Sequence, residues 1–342
     1  MEKNSVKCLI TGAAGYLGTI LVKTLYDMGY DIVSLVLPAD NTEYISKYSQ
    51  ICYGDVCDEK AMSDLITDFD YVVHLAGIIN IGSRNINHMR KVNVEGVRNI
   101  AGLCAERGIK MLYCSSVHAI PVLSDNQAMD EISNFSPGFV KGAYSKTKAE
   151  ATKLVLDMAN EGLDAMIAFP SGIIGPNEYQ LSNIGQLITD FLCGGLKAYI
   201  DGKYNFVDVR DVADGICAML ENWHGGECYI LSGHEVTVEE MLSTIAKASG
   251  QKMLRVKIPY WFVMGTSFLA EAYYVILRKK PLYTRYSLQT LRSNCNFSNR
   301  KAKTHIGFSP RPLQESLSDM THWIMEHFVI RKNKRFTPCS FK

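Results

Sequence analysis

The chain predicts a doubly wound α/β fold: a parallel sheet covered by helices on both faces, joined to a smaller, mostly helical C-terminal region. Three observations predict it. Short apolar runs alternate with helix-length segments through the first half, and those runs are apolar throughout, as strands buried on both faces require. The first run leads into a glycine-rich turn that opens a helix. The rhythm changes after about residue 175, where helical stretches take over.

The elements follow in order. VKCLITG reads as a buried strand, with a helix over about 15–28; YDIVSLVL is a second strand and QICYGDV a short third. A helix near 59–67, the strand DYVVHLAG, a helix near 92–107 and the strand IKMLYCSS come next. GAYSKTKAEAT opens a helix that continues through LVLDMANEG to a glycine stop. LDAMIAFPSGIIGP supplies a strand and a proline-bounded turn. LSNIGQLITDFLCGG is helical, FVDVRDVADGICAMLENW returns a strand and an amphipathic helix, and ECYILSG is one more strand. VEEMLSTIAKASG and PLQESLSDMTHWIMEHF complete a helical end, and the final IRKNKRFTPCSFK is a solvated basic tail.

Composition narrows the function. Apolar residues at 47% and charged residues at 21% suit a globular enzyme, and 342 residues can bury a large core. Lys+Arg 36 against Asp+Glu 35 leaves a charge of +1, so no strong field recruits nucleic acid. The ten cysteines form no CxxC pair and several lie in apolar runs, so no metal site is expected and the redox setting reads as cytoplasmic. MEKNSVKCLITG shows no signal-peptide core. IPYWFVMGTSFLAEAYYVIL, 258–277, has the length of a membrane span, but Pro259, Gly265 and Glu271 interrupt it, so an apolar pocket wall is expected rather than membrane contact.

Two motifs carry chemistry. In TGAAGYLG, Gly12, Gly15 and Gly18 follow a strand and open a helix, so the backbone can approach a pyrophosphate at a helix N-terminus. In GAYSKTKAEAT, Tyr144 and Lys148 are four residues apart and share a helical face, while Lys146 points elsewhere. An unperturbed phenol, with a pKa of about 10, is a sluggish base at neutral pH, and an ammonium one turn away favours its phenolate.

With GDVCD (54–58), HLAG (74–77), NVEG (93–96), YCSS (113–116), PSGIIGP (170–176) and FVDVRDVADG (206–215) in the same order, the chain resembles the extended short-chain dehydrogenase/reductases. The resemblance implies a Rossmann domain over 1–174 with a return segment 206–232, a substrate-binding region over 175–205 and 233–328, and a tail over 329–342. It implies Tyr144 as general acid/base, Lys148 on the nicotinamide ribose, Ser116 (or Ser115) holding the substrate oxygen, and Asn93 near the proton path. It also implies cofactor contacts from Gly12, Gly15, Tyr16, Leu17, Gly18, Asp55, Val56, Ala76, Gly77, Tyr144, Lys148 and Pro170. His118 follows the serine closely enough to touch substrate, whereas His74, in an apolar strand, reads as structural. Asp208 and Asp211 read as backbone-orienting and helix-capping residues.

Leu37 stands where an acid would grip the ribose of NAD or an arginine the phosphate of NADP; Asp40 comes three residues later and no arginine is near, which favours NAD(H) over NADP(H). Sugar-nucleotide members of the family carry an asparagine where this chain has Gly172, and a buried diphosphate needs donors. PSGIIGP instead resembles the 3β-hydroxysteroid dehydrogenase and dihydroflavonol 4-reductase group. The expected substrate is a secondary alcohol or ketone on a hydrophobic ring system. A nucleotide-sugar epimerase or dehydratase, a flavonoid-type ketone reductase and a non-catalytic NAD(P) sensor stand as alternatives. The resemblance also implies a homodimer, paired through the helices that hold Asn93 and Tyr144.

Overall fold

In the computed structural model, which describes residues 5–79, 85–124, 127–265 and 285–328, the apolar runs form the predicted strands. In chain order these are β1 (Lys7–Thr11), β2 (Asp31–Val36), β3 (Gln50–Tyr53), β4 (Tyr71–His74), β5 (Lys110–Cys114), β6 (Ala165–Pro170), β7 (Gly172–Ile174), β8 (Tyr199–Ile200), β9 (Lys203–Asp208), β10 (Cys228–Leu231), β11 (His234–Thr237) and β12 (Lys257–Ile258). The helices are α1 (Tyr16–Asp27), α2 (Glu59–Leu65), α3 (Ile86–Arg90), α4 (Val97–Arg107), α5 (Ala143–Asn160), α6 (Asn183–Leu192), α7 (Val209–Glu221), α8 (Val238–Ser249), α9 (Arg285–Thr290), α10 (Arg300–Ile306) and α11 (Leu313–His327).

Two compact units divide the chain. The first holds residues up to 171, 209–232 and 296–309. Its sheet runs β10-β6-β5-β4-β1-β2-β3 with every pair parallel. Leu9, Ile10, Val72, Val73, Met111, Leu112, Met166 and Ile167 are buried, so both faces of these strands lie in the core. α1 packs on α7, and α4 on α5 and α2. Strand order reverses between β1 and β4, and the C-terminal ends of such strands are where an open α/β sheet takes its ligand.

The second unit holds 172–208, 233–295 and the chain from 310 onward. β11 pairs antiparallel with β9 and β7 parallel with it, while β8 and β12 form a separate pair. α11 packs on α8 and α6 around Ile188, Phe191, Leu242, Ile245, Leu317 and Ile324.

The structure departs from the sequence reading in three places. The helix expected over 92–107 begins earlier as α3, widens into a π-helical turn over Lys91–Gly96, and continues as α4. The segment 296–309, read from its helical rhythm as part of the second region, joins the first unit. Ser298 N donates to Met129 O, Ser232 Oγ to Phe297 O and Asn299 Nδ2 to Ser232 O. Residues 206–208, read as the start of the return segment, instead end β9 in the second unit, held by pairing with β7 and β11. No helix among the described residues is long and apolar enough to cross a membrane. Of 258–277, Ile258 ends β12 and 260–265 are helical; 266–277, like the tail 329–342, lie outside the described residues.

Candidate active site

The glycine turn is built for close approach. Gly12 has φ +69°, and a Cβ there would lie 2.8 Å from Ala76 N, so neither a side chain nor an ordinary backbone conformation fits. Gly15 N donates to Gly12 O at 3.0 Å and caps α1 without a side-chain hydrogen bond. The first-turn N–H groups of α1 thus follow a turn of glycines and alanines, Gly12 to the exposed Gly15, with no side chain larger than a methyl group, which suits a pyrophosphate. A Cβ on Gly18 would meet Ala13 O at 2.6 Å, so this glycine lets α1 press onto the turn. Tyr16 is half-buried and Leu17 buried at the start of α1. Asp55 is exposed after β3 and accepts the Cys57 N–H at 2.9 Å; Val56 beside it is buried. These residues fit a dinucleotide lying along the C-terminal ends of β1, β3 and β4.

α5 delivers the tyrosine and lysine. Tyr144 and Lys148 are both buried on one face, and Lys146 is exposed. Lys148 Nζ donates to Cys114 O at 2.9 Å and to Tyr113 Oη at 3.4 Å, and sits 5.0 Å from the Tyr113 ring centre. No carboxylate offsets its burial among these contacts, and burial lowers its pKa to about 8. A Cβ on Gly77 would lie 3.6 Å from Lys148 Nζ and 3.3 Å from Asn93 Oδ1, so the glycine keeps the space beside the ammonium open.

Asn93 rides on the π-helical turn. Its Oδ1 accepts from Ile78 N at 2.7 Å, and its Nδ2 donates to Ile78 O and Thr147 Oγ1. Thr147 in turn donates to Tyr144 O at 2.8 Å. The amide therefore ties the loop after β4 to the helix that carries Tyr144.

The two serines part company. Ser115 Oγ pairs with Thr152 Oγ1 at 2.7 Å, inside the packing of α5. Ser116 caps the 3₁₀ turn Val117–Ala119, its Oγ accepting from His118 N at 3.2 Å. That turn packs on α5, and the His118 ring meets the Tyr144 ring edge-on at 5.8 Å. Burial lowers the His118 pKa, so the imidazole is neutral at pH 7. Pro170 is buried at the end of β6. In the second unit, Asp208 lies 3.8 Å from Arg311, and Asp211 sits in the first turn of α7 in the first unit.

The sequence reading missed Tyr113 as the phenol that receives Lys148, and Thr147 as the link between Asn93 and Tyr144. Each could have been found from one signal: a polar residue at the end of a buried parallel strand, or on the buried face of the Tyr–Lys helix.

The model of the NAD dependent epimerase/dehydratase family matches residues 8–231, more than half of the chain. The chain belongs to that family. It is an NAD-dependent oxidoreductase of the extended short-chain dehydrogenase/reductase group. "Sterol demethylase protein B" of Methylococcus capsulatus is 25% identical over 94% of this chain and 99% of its own length. A "putative dihydroflavonol 4-reductase" of Synechocystis is 26% identical over 94% and 95%. A "3-beta-hydroxysteroid dehydrogenase" of Mycolicibacterium neoaurum is 24% identical over 89% and 87%. Among solved structures, gox2253 superposes with a TM-score of 0.82 at 30% identity, covering 95% of this chain and 99% of its own. MoeE5, solved with UDP-glucuronic acid and NAD, reaches 0.74 at 21% identity over 94% and 99%, a likeness of fold alone.

Proposed function

We propose that this family member transfers hydride between a nicotinamide and a secondary alcohol or ketone on a hydrophobic, ring-bearing substrate, in the manner of a 3β-hydroxysteroid dehydrogenase. The bound nicotinamide supplies the hydride acceptor or donor. In the oxidative direction Tyr144 takes the hydroxyl proton, Ser116 holds the oxygen, and the carbon-bound hydrogen leaves with its electron pair as the C=O bond forms. Lys148 orients the ribose and favours the Tyr144 phenolate; reduction reverses the path. Asn93 keeps Tyr144 and the 75–79 loop in place, and His118 faces the substrate.

One observation carries the substrate class. A Cβ on Gly172 would lie 2.7 Å from Phe206 Cδ1 and 3.0 Å from Tyr204 Cε1. An asparagine for a sugar diphosphate cannot stand there without moving two aromatic rings. The relatives named for sterol, steroid and dihydroflavonol support the same class. The Leu37 N–H donates to Asp40 Oδ2 at 2.9 Å, which brings a carboxylate to the end of β2 and favours NAD over NADP. The test is turnover of purified protein with 3β-hydroxysteroids, their ketones and dihydroflavonols, using each cofactor separately, against UDP-glucose and UDP-glucuronic acid. Steroid turnover with NAD is expected; conversion of only the sugar nucleotides overturns the reading.

A further inference from the structure

His74 ends β4 with a fully buried side chain that the proposed reaction does not use. Parallel register makes it the partner of Thr11 on β1 and of Tyr113 on β5. The three side chains therefore form one row on one face of the sheet, at its C-terminal edge. Each neighbour leads to the cofactor site. Thr11 immediately precedes Gly12, and Tyr113 Oη receives Lys148. The His74 and Tyr113 rings lie 5.9 Å apart at 31°.

The hydrogen bonds define the imidazole's state. Thr11 Oγ1 accepts the Ala76 N–H at 3.2 Å and lies 2.8 Å from His74 Nδ1. A proton on Nδ1 would leave two buried groups unmet, the Thr11 hydroxyl hydrogen and the Nε2 lone pair, whereas a proton on Nε2 leaves only its own N–H, so the balance favours Thr11 donating to Nδ1 with the ring proton on Nε2. Burial, and secondarily Lys148, lowers the His74 pKa to about 3, so it adds no second cation beside the ammonium. Nε2 has no hydrogen-bond partner among the described residues. A buried donor left unpaired is costly, and an apolar side chain would fill the same space without that cost. Core packing alone does not account for a histidine here.

We propose that His74 is a positioning residue for the dinucleotide site, holding the glycine turn against Ala76–Gly77 through Thr11 and packing the phenol that receives Lys148. One neutral imidazole thereby sets the spacing between the pyrophosphate turn and the reactive lysine. The Thr11 arm rests only on the family's use of NAD; the Lys148 arm rests on the proposed reaction.

The experiment is calorimetric titration of NAD into the full-length protein and its His74→Leu and His74→Asn variants. Loss of the Thr11 bond in His74→Leu is expected to weaken NAD binding about tenfold. His74→Asn can offer Oδ1 to the Thr11 hydroxyl and should stay within about threefold of the parent. If the leucine variant does not fold, Thr11→Val and Thr11→Ser make the same comparison from the other side of the bond. Unchanged affinity in the leucine or valine variant overturns the proposal, as does equal damage from the conservative and non-conservative partners. For the lysine arm, His74→Leu and Tyr113→Phe should both lower kcat and leave the substrate KM unchanged. Affinity is read without turnover, so failure of the proposed reaction leaves the NAD result standing.

Discussion

Replacing Lys148 with methionine should abolish turnover yet stabilise the cofactor-free protein at neutral pH. Burial lowers the ammonium pKa from its ordinary 10.5 to about 8. That shift disfavours the charged folded form by about 3 kcal/mol, at about 1.4 kcal/mol per pKa unit. Methionine has a similar length and no charge, so it removes this penalty. It also loses the donor to Cys114 O at 2.9 Å, a charge-assisted bond worth about 1.5–3 kcal/mol. The variant should therefore be more stable by about 1 kcal/mol at pH 7. The sign reverses on the alkaline side. Between the folded pKa near 8 and the unfolded 10.5 the unfolded chain holds the extra proton, so the parent gains stability as pH rises. That gain reaches about 2–3 kcal/mol by pH 10 and is absent in the variant, which should then be less stable by about 1–2 kcal/mol. Urea unfolding of both proteins at pH 7 and pH 10 reads the crossover. A stability difference that is the same at both pH values would refute the reasoning, because it would mean that Lys148 carries no burial penalty.

Other outcomes follow from the same geometry. Tyr144→Phe removes the proton carrier but not the ring packed against His118, so kcat should fall by about 10²–10⁴ with NAD affinity nearly unchanged; steady-state kinetics and titration check this. Gly172→Asn must displace Phe206 and Tyr204, costing about 1–3 kcal/mol in thermal or urea denaturation, and should confer no binding of UDP-glucose in calorimetry. Gly18→Ala drives a methyl group against Ala13 O and Gly12 O, and should weaken NAD binding together with stability, both read in one thermal-shift series with and without NAD. Light scattering should report a mass of two chains; a single symmetric peak at monomer mass would remove the homodimer.

Much of the site was legible because its signals are local. Buried parallel strands announce themselves as unbroken apolar runs, as in KCLIT and AMIAFP. A turn that must admit a pyrophosphate needs glycine at Gly12, where φ is positive, and Tyr144 and Lys148 share a face by helical periodicity alone. What escaped depends on register and long-range pairing. Nothing local says that Phe297 meets Ser232, 65 residues away, so 296–309 read as part of the second region. Thr11, His74 and Tyr113 are 63 and 39 residues apart, and only the alignment of β1, β4 and β5 makes them a row. Motif position already favours Ser116 over Ser115, but that Thr152 engages the Ser115 hydroxyl is a long-range contact that no local signal announces.

The most direct test of the account is isotopic. The protein is incubated with NADH carrying deuterium at the transferable position and a 3-ketosteroid, and the product alcohol is weighed by mass spectrometry. The account predicts one deuterium at the carbinol carbon, lost in Tyr144→Phe. Cofactor that binds but passes no deuterium to steroid ketones, alongside epimerisation of a UDP-sugar, would contradict it.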